Sequence, residues 1–182
     1  PGHGLLPPGQ FIDIAEDADL MVPLGEWVIN RTCEDLADWP KVKGRSPLVS
    51  INLAARHLEV DTLVPTVIRA LQRNGLKPNR VGFEITESMA VLDTEAALAN
   101  LDKLASLGCR VAIDDFGIGH ASLDYLRRFS MATAIKIDRS FIAGITESPE
   151  NQAIVKASIS MAEALDLQVV AEGVETVEQL LR

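Results

Sequence analysis

Cysteine is scarce in this chain: only Cys33 and Cys109 occur among 182 residues, far apart and outside any C-x-x-C or Cys/His cluster. That excludes a disulfide framework and a thiolate zinc site, and it reads as two buried, reduced thiols of the kind a cytoplasmic protein carries. No apolar run approaches the roughly 18 residues that a membrane span needs. Pro1-Gly2-His3-Gly4 has neither the basic nor the apolar region of a signal peptide, so any membrane tether is expected outside the chain. Low-complexity tracts and repeats of 20–50 residues are absent, which sets aside disordered arrays and solenoids. Positive charge is also short: 17 Lys and Arg stand against 26 Asp and Glu, a formal net charge of −9. A surface of that sign repels polyphosphate and argues against a DNA or RNA polymer as partner, while leaving room for a small phosphate ligand if metal cations offset the acid locally.

What remains is an ordinary globular balance, 47% hydrophobic and 24% charged, in a length that suits one buried core. After two amphipathic helices expected at Phe11–Ala18 and Leu24–Leu36, short β-type segments alternate with helical ones. The expected strands are Leu48–Asn52, Val81–Thr86, Arg110–Asp114, Ala134–Asp138 and Gln168–Ala171. Between and after them the spacing predicts helices over Thr62–Asn74, Thr94–Leu107, Ser122–Arg128 and Asn151–Leu165, with a last one starting near Thr176. Repeated strand–helix units imply an α/β fold with a parallel sheet and helical crossovers, and strands that read as aliphatic to their last positions are expected to be buried on both faces.

Those last positions break the aliphatic pattern. The strands end in Asn52, Glu84, Asp114 with Asp115, Lys136 and Glu172, at intervals of 32, 30, 22 and 36 residues, the size of βα units. In a (β/α)₈ barrel every strand's C-terminal end opens onto one face, where active sites sit. A single acid after a strand is usually a helix cap or a solvated turn residue, and a single lysine a surface one. Five successive strands ending this way are not explained so. Clustered carboxylates repel unless protonated or bound to metal, and an oxygen-only donor set suits Mg²⁺ or Mn²⁺ rather than zinc.

The motifs that carry these residues resemble the EAL-domain phosphodiesterases. Gly4–Ile12, Ala15-Glu16 and Leu24–Val28 look like the region after that family's first strand. Ser50–Arg56, Phe83–Ser88, Asp114–Gly119, Lys136–Phe141 and Ala171–Thr176 are similar to its S-V-N-L-S-A-R, E-[IL]-T-E, D-D-F-G-x-G, K-I-D-R-S-F and A-E-G-V-E-T blocks, in family order. The resemblance implies a modified TIM (β/α)₈ barrel that hydrolyses cyclic di-GMP to linear pGpG with two Mg²⁺ or Mn²⁺ ions. It further implies that Asn52, Glu84, Asp114 and Glu172 are metal ligands and that Asp115 stands beside the second metal. Lys136 would orient or activate the attacking water, Glu87 would hold the glycine loop, and Asp138 and Glu175 would support the site.

Some features depart from the family. The Glu-Ala-Leu motif of the family's first strand and the late Gln-Gly-Tyr segment are absent, so residues 1–182 are expected to be a single EAL domain shortened at both ends, its barrel incomplete and poorly active by itself. Open strand edges make a homodimer through the barrel a further expectation. The glycine loop carries Ile118, His120 and Ala121 where the family commonly has Thr or Ala, Tyr and Ser, and His120 reads as a solvated loop residue rather than a new ligand. These changes leave a second hypothesis, a degenerate domain that binds cyclic di-GMP or a protein without turnover. A third, Schiff-base or enolate chemistry at Lys136, needs a lysine of lowered pKa, which a carboxylate-rich pocket opposes.

Overall fold

The computed structural model describes residues 4–90, 94–119, 126 and 128–182. Helices α1 (Ile12–Asp17) and α2 (Met21–Asp38) lead into strand β1 (Val49–Asn52), the short α3 (Ala55–Leu58) and α4 (Leu63–Arg73). Strand β2 (Val81–Thr86) runs straight into α5 (Glu87–Ala90), followed by α6 (Glu95–Leu107) and β3 (Arg110–Phe116). Strand β4 (Ala134–Ile137) is followed by α7 (Arg139–Ala143) and α8 (Pro149–Ala164), and β5 (Gln168–Ala171) by α9 (Val177–Leu180). Of the helix expected over Ser122–Arg128, residues 122–125 and 127 lie outside the described residues; Leu126 and Arg128 are helical.

Local chemistry sets the helix limits. Thr94 Oγ1 accepts from Ala97 N at α6, Ser148 Oγ accepts from Asn151 N at α8, and Thr176 with Gln179 forms a reciprocal capping box at α9. Gly108 closes α6 with φ of +96°, a left-handed conformation that costs a glycine nothing.

The five strands form one parallel sheet in the order β1-β2-β3-β4-β5, so each βα unit lays its strand beside the one before. This is the topology of consecutive units of a (β/α)₈ barrel. Ile51, Phe83, Ile85, Val111, Ile113 and Ile135 form the sheet's buried face, under Ile29, Cys33 and Leu36 of α2, Leu63 and Val67 of α4, and Leu101 and Leu104 of α6. Burying each large side chain of this kind contributes about 1.5–3 kcal/mol. The opposite face differs from the expectation of strands buried on both sides. Residues there alternate with the buried ones and are small or polar: Ser50, Gly82, Ala112 and Ala134, with Ser50 exposed and the two alanines partly so. Small side chains on the concave side let a sheet curl, and here they leave a floor beneath the strand-end residues.

Candidate active site

Register explains why residues so far apart in sequence meet. Asn52 pairs with Glu84 across β1 and β2, and Glu84 pairs with Ala112, two positions before Asp114. Ala112 pairs with Ala134, two positions before Lys136, and Lys136 pairs with Val170, two positions before Glu172. Side chains alternate along a strand, so all five polar residues project from the same face at the C-terminal end of the sheet. The buried residues between them, Ile85, Ile113 and Ile137, anchor the other face.

Strand β3 contains an irregularity at this point. Its register with β4 shifts between Ile113 and Phe116, so that Phe116 rather than Asp115 pairs with Ile137. Asp115 takes a left-handed φ of +54°, which aspartate tolerates better than most residues, and its N–H donates to Asp114 Oδ1 at 3.0 Å. One extra residue is thereby accommodated, and Phe116 returns to the buried face at 1% exposure. The strand therefore runs two residues beyond the expected end, and the adjacent acids both remain half-buried at the site.

Lys136 is the hub. Its Nζ lies 2.7 Å from Glu84 Oε2, 3.0 Å from Asp114 Oδ2 and 2.6 Å from Glu172 Oε1, with the lysine side chain only 14% exposed. Burial by itself would lower the pKa of this ammonium, but its hydrogen bonds to Glu172, Glu84 and Asp114 outweigh that and hold it well above the usual lysine range. The three carboxylates thus favour the charged ammonium, which opposes the free amine that Schiff-base chemistry requires. Asp115 is pushed upward by burial and by the charges of Asp114, Asp138 and Glu172, against the opposing pull of Lys136. Asn52 is exposed beside Glu84 and is not among the groups bonded to Lys136.

The supporting residues separate into two groups. Glu87, 3% exposed at the start of α5, accepts hydrogen bonds from Gly117 N at 2.9 Å and Gly119 N at 3.3 Å, so it clasps the loop that follows Asp114 and Asp115. A Cβ on Gly119 would stand 2.6 Å from Glu87 Oε1, so this close clasp needs a glycine. Ile118, between the two clasped amides, is 61% exposed; His120 and Ala121 lie outside the described residues. Asp138 follows β4 as the N-cap of α7, accepting from Ser140 N and from the Ser140 hydroxyl, which keeps its carboxyl below the usual range. Glu175 is exposed; its backbone N–H donates to Gln179 Oε1, and its side chain lines a separate concavity with Arg139 and Gly173. Sequence reasoning missed Asn100, buried on α6, whose amide donates to Leu58 O and Val60 O and so fixes the segment after β1. A lone asparagine in a helical stretch gives no signal of that.

A concavity of about 500 Å³ between α1, α2 and α3, lined by Glu16, Asp19, Arg56 and Glu59 among others, contains none of the strand-end residues. Its Arg56–Asp19 ion pair is largely solvated, so the chemistry belongs to the buried cluster at the strand ends.

As they stand, the described residues contain no group of three or more His, Cys, Asp or Glu side chains arranged to hold a metal ion. The donor set nevertheless suits one. Glu84, Asp114 and Glu172 offer hard oxygens to a common point, and the ammonium at that point is a stand-in cation.

The EAL domain family profile matches residues 1–182, every residue of the sequence. The chain belongs to the EAL domain family. The EAL chain is 40% identical over 179 residues to the bifunctional diguanylate cyclase/cyclic di-GMP phosphodiesterase MucR of Pseudomonas aeruginosa, covering 98% of this chain and 26% of that protein. It is 39% identical over 179 residues to the cyclic di-GMP phosphodiesterase PdeR of Escherichia coli, covering 98% of this chain and 27% of that protein. It thus spans about a quarter of the length of these curated relatives. A solved structure of the MucR phosphodiesterase in complex with cyclic di-GMP superposes with a TM-score of 0.88 at 40% identity, over 98% of this EAL chain and 72% of that one. The fold is accordingly the TIM-barrel-like α/β architecture of EAL domains, of which this chain forms part. No helix among the described residues is long and apolar enough to cross a membrane.

Proposed function

We infer that this chain is the catalytic part of a metal-dependent phosphodiesterase that opens cyclic di-GMP to linear pGpG. The observation that carries the reading is the convergence of Glu84, Asp114 and Glu172 on Lys136, from three strands and the residue that follows β5, at the C-terminal end of the sheet. The named activities of MucR and PdeR and the ligand of the solved MucR complex support it. Residues 1–182 are read as part of one EAL domain.

Asn52, Glu84, Asp114, Asp115 and Glu172 would hold two Mg²⁺ or Mn²⁺ ions. When bound, such ions neutralise a phosphodiester and make water acidic enough to act as a nucleophile near neutral pH. The remaining work falls to the chain itself. The carboxylates fix positions by being rooted at strand ends rather than on mobile loops. Lys136 places a positive charge where charge develops on the phosphoryl oxygens and where the attacking water is oriented. Glu87 positions the loop carrying Asp115 through its two backbone hydrogen bonds, Asp138 fixes the turn after Lys136, and Glu175 supports the following loop. Buried free Cys33 and Cys109 support a reducing, cytoplasmic setting, and pairing of two copies through the barrel belongs to the same reading.

Chromatography of cyclic di-GMP incubated with the protein and Mn²⁺ tests it. Release of pGpG that stops on adding EDTA is expected. Tight retention of intact cyclic di-GMP, with no product from the full-length protein, would instead establish a receptor.

A further inference from the structure

The carboxylates of the site surround a cation that the chain supplies. Lys136 directs its ammonium at Glu84, Asp114 and Glu172 at 2.6 to 3.0 Å, one partner for each of its three N–H donors. Three acids against one base leave the cluster with surplus negative charge. Without the ammonium they would repel one another, and Glu84 and Asp114 are too buried, at 13% and 14% side-chain exposure, for water to screen them fully. The point that Lys136 occupies is also the point a divalent cation would take from the same oxygens. Mg²⁺ needs oxygens at about 2.0–2.1 Å, closer than an ammonium brings them, so the two cations cannot share it.

We propose that Lys136 is an exchangeable internal counter-ion, holding the metal-free carboxylates together and yielding its place when a divalent cation binds. This rests on the metal-dependent reading above. The four-carbon stem of lysine is flexible enough to withdraw the ammonium from the oxygens while β4 holds its root. Displacement would turn one side chain from a structural cation into a free charge facing the phosphate, so the two roles would alternate with metal occupancy. Removing the charge should therefore have opposite effects on the two states: the metal-free protein loses a tie, and the incoming metal loses a competitor.

The test is calorimetric titration of Mn²⁺ into the wild type, Lys136→Met and Lys136→Arg, with thermal melting of each in EDTA and in excess Mn²⁺. Lys136→Met is expected to bind Mn²⁺ at least tenfold more tightly than the wild type, about 1.4 kcal/mol. It should melt lower than the wild type in EDTA, with the gap closing in Mn²⁺. Lys136→Arg, which keeps the charge, is expected to bind no more tightly than the wild type. A readout independent of variant folding is the wild-type Lys136 side-chain NH₃⁺ resonance, whose slowed hydrogen exchange should be lost as diamagnetic Mg²⁺ saturates the site. Equal or weaker Mn²⁺ binding by folded Lys136→Met, or an unchanged resonance at Mg²⁺ saturation, would overturn the exchange while leaving the metal site standing. Absence of Mn²⁺ binding by the wild type and both variants would overturn the metal reading and the exchange together.

Discussion

Replacing Glu87 by alanine should loosen the glycine loop while leaving the sheet in place. The carboxylate is 3% exposed and accepts from Gly117 N at 2.9 Å and Gly119 N at 3.3 Å. Hydrogen bonds to a charged group contribute about 1.5–3 kcal/mol each, and the longer of these two belongs at the low end. Taking the low end for both gives about 3 kcal/mol, roughly a hundredfold in the opening equilibrium of the loop. Amide hydrogen exchange read by NMR checks this directly. Gly117 and Gly119 should exchange about a hundredfold faster in Glu87→Ala, whereas Ile135 and Ile137 in the middle of the sheet should barely change. Metal-dependent turnover should fall with the loop, because Asp115 sits at its base. Unaltered protection of both glycine amides would refute the clasp and remove the positioning role from Glu87.

Other substitutions test neighbouring claims. Lys136→Ala should slow pGpG release by about 10²–10³-fold, the usual cost of losing a preorganised charge at a reacting centre, as read from initial rates in excess metal. Gly25→Ala should cost about 1–3 kcal/mol in urea unfolding, because its Cβ would stand 2.3 Å from His57 Nδ1 in a filled space. His57 itself should make stability pH-dependent. Burial lowers its pKa against the upward pull of Glu26, so above about pH 6.5 the ring is neutral in both states, and below it the unfolded chain takes up the proton first. Stability should then fall as pH drops through that window, and urea midpoints at pH 7.5 and 5.5 should differ less in His57→Gln than in the wild type. Cys109, buried and with its thiol pushed up to about 11 by burial and by Cys33, should resist a thiol reagent at pH 8 until the protein is unfolded.

Much of this arrangement was legible in the residues because periodicity and strand-end chemistry are local signals. Val81–Thr86 and Gln168–Ala171 are strands over the expected residues, and the interruption of aliphatic sequence by Glu84, Asp114, Lys136 and Glu172 marked the face where they meet. The bulge at Asp115 was not legible, since an extra residue in a strand depends on the register of its neighbour β4 rather than on its own sequence. For the same reason Asp138, expected as a strand end, is a helix cap: its side chain finds Ser140 N before the ladder can continue. The small-residue face is not legible from hydropathy, because Ala112 and Ala134 read as strand core although their size suits a concave surface. That Lys136 would bind three acids at once could not be read from spacing, because it depends on how far the lysine stem reaches across β3 to Glu84.

The convergence of remote acids into one hydrolytic centre is tested most directly by pGpG release from cyclic di-GMP in excess Mn²⁺, comparing wild type, Asp114→Asn and Glu172→Gln in the full-length protein. Asp114 is on β3 and Glu172 directly follows β5, and each substitution removes one negative charge from the cluster around Lys136. Both variants are expected to fall by about 10²-fold or more, while retaining the wild-type melting profile to within a few degrees. Turnover at the wild-type rate by either variant would contradict the assignment of these strand ends to the active centre.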